Sequence, residues 1–162
     1  MEGSDWVVFR ITTCRCALRA DDVWKVVHIP LLTSPPGLPP LVIGFMNLAG
    51  LAVPVLPLDR LLGQPGGRFH PYLHVLILKS ANRPLGLLVE RVEAIVRLRD
   101  QDMTGVHDDE SLNGCIRSRA RIGGEEVFLV ATERLLDARE TRVLSELQAI
   151  QQQRLAELGV AS

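Results

Sequence analysis

The chain has 162 residues, 18 basic and 19 acidic, and a formal net charge of −1. A charge so balanced creates no whole-surface field to gather nucleic acid or an anionic bilayer, so neither is expected as a partner. The length fits one compact domain or two intimately packed lobes; no apolar run reaches a membrane span, and the acidic start Met1-Glu2-Gly3-Ser4-Asp5 lacks the plan of a signal peptide, so a cytoplasmic protein without direct membrane insertion is expected.

Up to about residue 130, short runs of Val, Ile and Leu alternate with turn residues, which predicts a mainly β body. Trp6-Val7-Val8-Phe9-Arg10-Ile11 begins the first strand, and Thr12-Thr13 turn it into Cys14-Arg15-Cys16-Ala17-Leu18. Asp21 or Asp22 caps a short turn into the strand Val23-Trp24-Lys25-Val26-Val27-His28-Ile29. Five prolines between Pro30 and Pro40 remove backbone donors and make a stiff surface connection.

The stretch from Gly44 to Gly63 carries almost no charge. It reads as strand, Gly turn, second strand and short helix. Val53 and Val55 suit a pleated surface, while Pro54 removes a ladder donor and predicts an edge strand. Pro57 opens a helical turn, Leu58, Leu61 and Leu62 supply its buried face, and Gly63 closes it.

Gln64-Pro65-Gly66-Gly67-Arg68 breaks the pattern and marks a boundary between lobes near residues 64–70. Strands then follow at residues 72–79, 85–90 and 92–98, before an acidic surface loop over 100–113. From Ile116 to Ile122 the residues alternate, with Arg117, Arg119 and Arg121 on one face as a hydrated surface, and Gly123-Gly124 turns into Val127-Phe128-Leu129-Val130. Residues 132–158 contain neither Gly nor Pro; one long helix is predicted, with Thr132 as its N-cap. Its apolar stripe is too interrupted by Gln151, Gln152, Gln153 and Arg154 to require a coiled coil, although self-association through this helix is an alternative use.

The chemistry of catalysis is not visible. There is no P-loop, dinucleotide fingerprint, nucleophile elbow or His-Glu-x-x-His, and the four histidines are scattered. Asp108-Asp109-Glu110 reads as solvated charge. Cys14 and Cys16 sit at strand spacing, so both point to one face; a metal or redox site joined by His70 and His74 is weighed against packed, reduced thiols, and the thiols are preferred because Pro71 opposes the helix such a site needs. No metal, no cofactor and no enzyme activity is expected, which leaves protein–protein association.

The segment Gly44-Phe45-Met46-Asn47-Leu48-Ala49-Gly50, continued by Pro54-Val55 and Leu58, resembles the core motif of the CheW family, Gly-x-x-Asn-Leu-Arg-Gly-x-x-x-Pro-Val-x-Asp-Leu. Phe9-Arg10-Ile11, Ala17-Leu18, Val23 to Val27 and Pro84 to Ile95 extend the likeness over roughly residues 6 to 137. The resemblance implies two small SH3-like five-stranded β-barrel lobes, with a C-terminal strand that returns to the first lobe, followed by a helical extension over 138–162. It also implies a non-catalytic adaptor that couples chemoreceptors to a CheA-type histidine kinase, a groove taking the receptor's cytoplasmic helical tip and an apolar patch taking the kinase regulatory domain. By motif, Val23, Lys25, Leu48, Ala49 and Gly50 fall where family contacts cluster, and Val53 and Val55 extend that apolar edge. Two charges depart from the family: Ala49 replaces its Arg, and Lys25 replaces an acidic residue. Leu56-Pro57 also takes the place of its Asp near the end of the motif.

Overall fold

A computed structural model describes residues 3–79, 84–107 and 111–161. The turn expected at 80–83 and the acidic cluster at 108–110 lie outside the described residues. Among the described residues eleven strands form two sheets, and a long helix follows. β1 (Ser4–Arg10) and β2 (Arg15–Arg19) form the first hairpin; β3 (Val23–His28), β4 (Gly44–Leu48), β5 (Leu51–Pro57), the short helix α1 (Leu58–Leu61), β6 (His74–Leu78) and β7 (Leu85–Val89) come next. β8 (Arg91–Leu98), β9 (Met103–Gly105), β10 (Ile116–Ile122), β11 (Glu125–Val130) and α2 (Ala138–Ala161) complete the chain.

The six-stranded sheet has the order β8-β1-β2-β11-β10-β9, and the five-stranded sheet β3-β6-β7-β5-β4. The first has one strand more than the sequence implies: β9, three residues paired with Ser118–Ala120 of β10, is too short to show a period-two pattern. The composition break at 64–70 does not separate the sheets, because β5 and β6 on either side of it lie in one. The chain instead changes sheet around the 3-10 turn Ala20–Asp22 and again at Glu90. Two parallel pairings, β2 with β11 and β5 with β7, fix this arrangement.

Strand alternation explains how both faces are buried. In β1, Trp6 and Val8 fill a small core inside the six-stranded lobe, whereas Val7 and Phe9 face a core shared by both lobes. In β5, Val53 and Val55 fill the interior of the five-stranded lobe, whereas Ala52 and Leu56 face the shared core. Leu56, Leu76, Leu87 and Phe9 are all fully buried in it, each worth about 1.5–3 kcal/mol on transfer from water. Polar contacts stitch the seam: Thr12 donates through its N–H and its hydroxyl to Asp59 (3.1 and 3.2 Å), and Thr13 donates to Gln64.

The helix starts later than its composition predicts. Thr132–Arg134 is a 3-10 turn, and α2 is capped by Asp137, whose carboxylate accepts the Glu140 N–H at 2.7 Å while Glu140 accepts the Asp137 N–H at 3.0 Å. This reciprocal Asp-x-x-Glu box satisfies two donors that Thr132 leaves alone, and Leu135 between the two turns is buried in the shared core.

On the six-stranded sheet, Glu93 accepts hydrogen bonds from Arg10 (3.0 Å), Arg15 (2.9 Å) and Arg91 (3.1 Å). Burial pushes its carboxyl up, but the bonds from Arg91, Arg10 and Arg15 outweigh burial and hold it below the ordinary Glu value. A depressed carboxylate stabilises the fold at pH values above its unfolded value and loses that increment as pH falls through the folded one. Glu93→Gln is therefore expected to destabilise the fold at pH 7, a gap that closes as urea titrations are carried from above the ordinary Glu value down through the lower folded one. A gap that stays constant down to acid pH would assign the loss to packing rather than charge.

Candidate protein-interaction site

In the five-stranded lobe β3, β5 and β7 run parallel, since β3 and β7 each pair antiparallel with β6 and β7 pairs parallel with β5. Val23, Leu48 and Leu51 therefore share one end of this sheet, and His28, Gly44, Pro57 and Val89 the other. Each end presents a surface of its own.

At the first end, β4 and β5 join through a two-residue turn in which Ala49 and Gly50 have φ of 51° and 90°. Positive φ at both positions is the primed turn that suits the twist of a hairpin, and the Asn47 side chain accepts the Gly50 N–H at 2.8 Å. Ala49 and Gly50 are exposed, and Leu51 beside them is 39 % exposed. Leu48 is half-buried against the lobe interior. A side chain at position 49 is carried on an αL residue, which costs a non-Gly residue about 1–2 kcal/mol.

β3 is an edge strand of the same sheet. Its register shifts between Val23 and Lys25, so Trp24 is the extra residue of a bulge. The bulge separates two residues that spacing alone puts on one face: Val23 packs against the shared core, and Lys25 is exposed with its Nζ 5.6 Å from the Trp24 ring centroid. Trp24 and Val26 remain 47 % and 41 % exposed. Their exposure was not legible in the sequence, because the bulge leaves no local signature.

Val53 and Val55 do not belong to this surface. Both are fully buried, so they have no area to offer a partner. Nor is β5 an edge strand: β4 pairs along its whole length, and β7 joins at Val55. Before β7 begins, α2 takes its place. Gln152 accepts the Ala52 N–H and donates to the Gly50 carbonyl, both at 2.8 Å, and Gln148 donates to the carbonyls of Ala52 and Pro84, both at 3.1 Å. Backbone groups of Ala52, Pro54 and Leu56 turn to the same side by the period of two. The donor Pro54 lacks thus falls between the last glutamine contact and the first β7 pair, where a proline is tolerated. The i, i+4 spacing of Gln148 and Gln152 was the available signal for this clasp.

At the second end lies a groove of about 720 Å³ lined by Ile29, Leu31, Leu32, Ile43, Phe69 and Leu73, with Asp59, Arg60, Arg68 and Glu90 among its polar residues. Leu31 is 97 % exposed and Phe69 67 %. The proline-rich connection forms one wall, tied down by the bridge between Thr33 and Phe45, by the Ser34 hydroxyl donating to the Ile43 carbonyl and by Arg60 donating to the Pro40 carbonyl.

The remaining chemistry-bearing residues have local partners. Arg117 pairs with Glu133, Arg119 with Glu126, and Arg121 donates to the Gly124 carbonyl, so the arginine row is engaged within the fold. His70 contacts Glu90 at 3.1 Å; His74 accepts the Val92 N–H at 2.8 Å, and its ring lies tilted at 59° against that of His28. Burial, His28 and Arg91 lower the His74 pKa. Among the described residues no three or more His, Cys, Asp or Glu converge as metal ligands. Among them, too, no helix is long and apolar enough to cross a membrane.

Two curled sheets back to back on one core, with exposed apolar surfaces at both ends of one lobe, define a paired-lobe β domain. The model of the CheW-like domain matches residues 5–140, and the chain belongs to that family. Among solved structures, the crystal structure of scaffolding protein TtCheW from Thermoanaerobacter tengcongensis is similar with a TM-score of 0.76, over 84% of this chain and 89% of that one, at 19% identity. At that identity the likeness speaks for the fold. No curated protein matches.

Proposed function

We propose that this chain is a non-catalytic adaptor that couples chemoreceptors to a CheA-type histidine kinase in chemosensory signalling. Family membership supports the reading. The observation that carries it is the pair of exposed surfaces at opposite ends of the five-stranded lobe, because an adaptor must hold two macromolecules without one excluding the other. Trp24, Lys25, Val26 and the turn from Leu48 to Leu51 form one contact, with the aromatic anchor and its neighbouring cation typical of binding hot spots. The groove with Leu31 and Phe69 forms the other. The exchange of charge at Ala49 and Lys25 relative to the family points to a receptor or kinase whose own charges differ in compensation.

Co-sedimentation with a receptor cytoplasmic fragment and a CheA-type kinase tests this. Trp24→Ala is expected to weaken binding of one partner about tenfold or more and leave the other in place. Lys25→Glu with Ala49→Arg is expected to change which receptors or kinases are retained. Retention of neither macromolecule, or an unchanged partner choice in the double variant, would overturn the respective claim.

A second reading draws on α2, where Val143 and Ile150, seven residues apart, are 40 % and 51 % exposed. Self-association along this strip would appear as concentration-dependent mass in light scattering, abolished by Ile150→Glu.

A further inference from the structure

Cys14 and Cys16 lie at the end of the first hairpin with their sulfurs 3.9 Å apart. Cys16 is fully buried in the shared core, whereas Cys14 is half-buried and precedes the β2 ladder, which begins at Arg15. Cys14 lies in the bend before the ladder, so its backbone is not held at the strand spacing that would keep two Cβ atoms too far apart for a disulfide. Closing the bond brings the sulfurs to about 2.05 Å and the Cβ atoms to about 3.8 Å, a movement that falls on the turn carrying Cys14.

The two thiols differ in character. A hydrogen bond from Cys16, helped by one from Thr13 and opposed by burial, lowers Cys14 to about 7. Its bond to Cys14 and its burial push Cys16 well up, so the inner thiol keeps its proton. Cys115 is a built-in control: it is 2 % exposed, its sulfur lies 3.4 Å from the Arg134 carbonyl oxygen to which its one S–H can donate, and burial raises its pKa.

We propose that Cys14 and Cys16 form an oxidisable dithiol, a modification site at the seam of the lobes that a hydroperoxide closes to a disulfide. The Cys14 thiolate attacks one peroxide oxygen, the O–O bond breaks, and the departing oxygen leaves as alkoxide or hydroxide and takes up a proton, giving a sulfenic acid on Cys14. The Cys16 sulfur then attacks the Cys14 sulfur; the S–S bond forms, the S–O bond breaks, and the hydroxide carries off the Cys16 proton as water. The dithiol gives two electrons to the peroxide. The neighbouring Thr12 and Thr13 grip Asp59 and Gln64 across the seam, so movement of Cys14 is felt by the other lobe.

The test is hydrogen peroxide on the native full chain at pH 7, followed by alkylation of remaining thiols and mass spectrometry. The expected product has lost two hydrogens, carries one alkyl group on Cys115, and yields a peptide bridged between Cys14 and Cys16. In Cys16→Ser the Cys14 sulfenic acid is expected to persist and be trapped by dimedone. A second measurement needs no variant: native Cys14 is expected to alkylate at pH 7 about threefold faster than in denaturant, the gain in thiolate fraction being offset in part by lower nucleophilicity. Sulfinic or sulfonic acid at Cys14 in place of the bridge, equal oxidation of Cys115, or unaltered thiols would overturn the proposal.

Discussion

Replacing Gln148 with leucine is expected to lower the unfolding free energy by about 2–5 kcal/mol, although leucine fits a similar volume. Gln148 is a buried polar residue, 6 % exposed, and its amide donates to both the Ala52 and Pro84 carbonyls. Leucine leaves those two acceptors without a donor where water has little access, and each orphaned group costs about 1–3 kcal/mol. For a chain of this size each kcal/mol moves Tm by about 2–4 °C, so the melting point should fall by roughly 5–15 °C. Gln152 is the internal control. It reaches the same strand but lies nearer solvent, where water can replace its bonds, and Gln152→Ala is expected to cost no more than about 1 kcal/mol. Urea titrations of both variants measure the difference, and equal losses would show that the clasp contributes through helix packing instead.

The second large effect is expected at Gly86, the second residue of β7. A Cβ there would sit 2.9 Å from a Val75 methyl, 3.3 Å from the Pro54 carbonyl oxygen and 3.4 Å from a Val55 methyl. None of the three can withdraw easily: both valines are fully buried and stiff at χ1, and the carbonyl belongs to a central strand. Gly86→Ala is expected to cost about 1–3 kcal/mol, with Gly86→Val worse. Gly66, whose Cβ would meet nothing within 4 Å, serves as the comparison; Gly66→Ala should stay within about 0.5 kcal/mol of the parent in the same thermal or urea assay. A neutral Gly86→Ala would mean that β7 can move away from β5.

Local chemistry made most elements legible. Period-two runs and turn residues located β1 to β8, β10 and β11, and Pro57 to Gly63 announced α1. What the sequence hid was non-local. Pro54 does lie where a ladder donor is missing, but the partner that covers that side is a pair of glutamines nearly a hundred residues later. Val53 and Val55 looked like an apolar edge because alternation tells which residues share a face, not whether a second core lies behind that face. Thr132 lost the cap to Asp137 because the stronger signal was the reciprocal Glu140, three residues on. Of the proposed surface, the turn at Ala49 and Gly50 could be placed from its glycine and motif, whereas the exposure of Trp24 and Val26 depended on a bulge with no residue signature.

The parallel pairing of β2 with β11 carries a consequence for how the molecule comes into being. The opening hairpin finds its neighbour more than a hundred positions downstream, so that sheet cannot be completed until β11 has left the ribosome. Loop closure over such a span is entropically slow, and the nascent N-terminal portion meanwhile keeps its apolar strands unprotected. Because both lobes bury side chains in one shared core, neither completes its burial without the other.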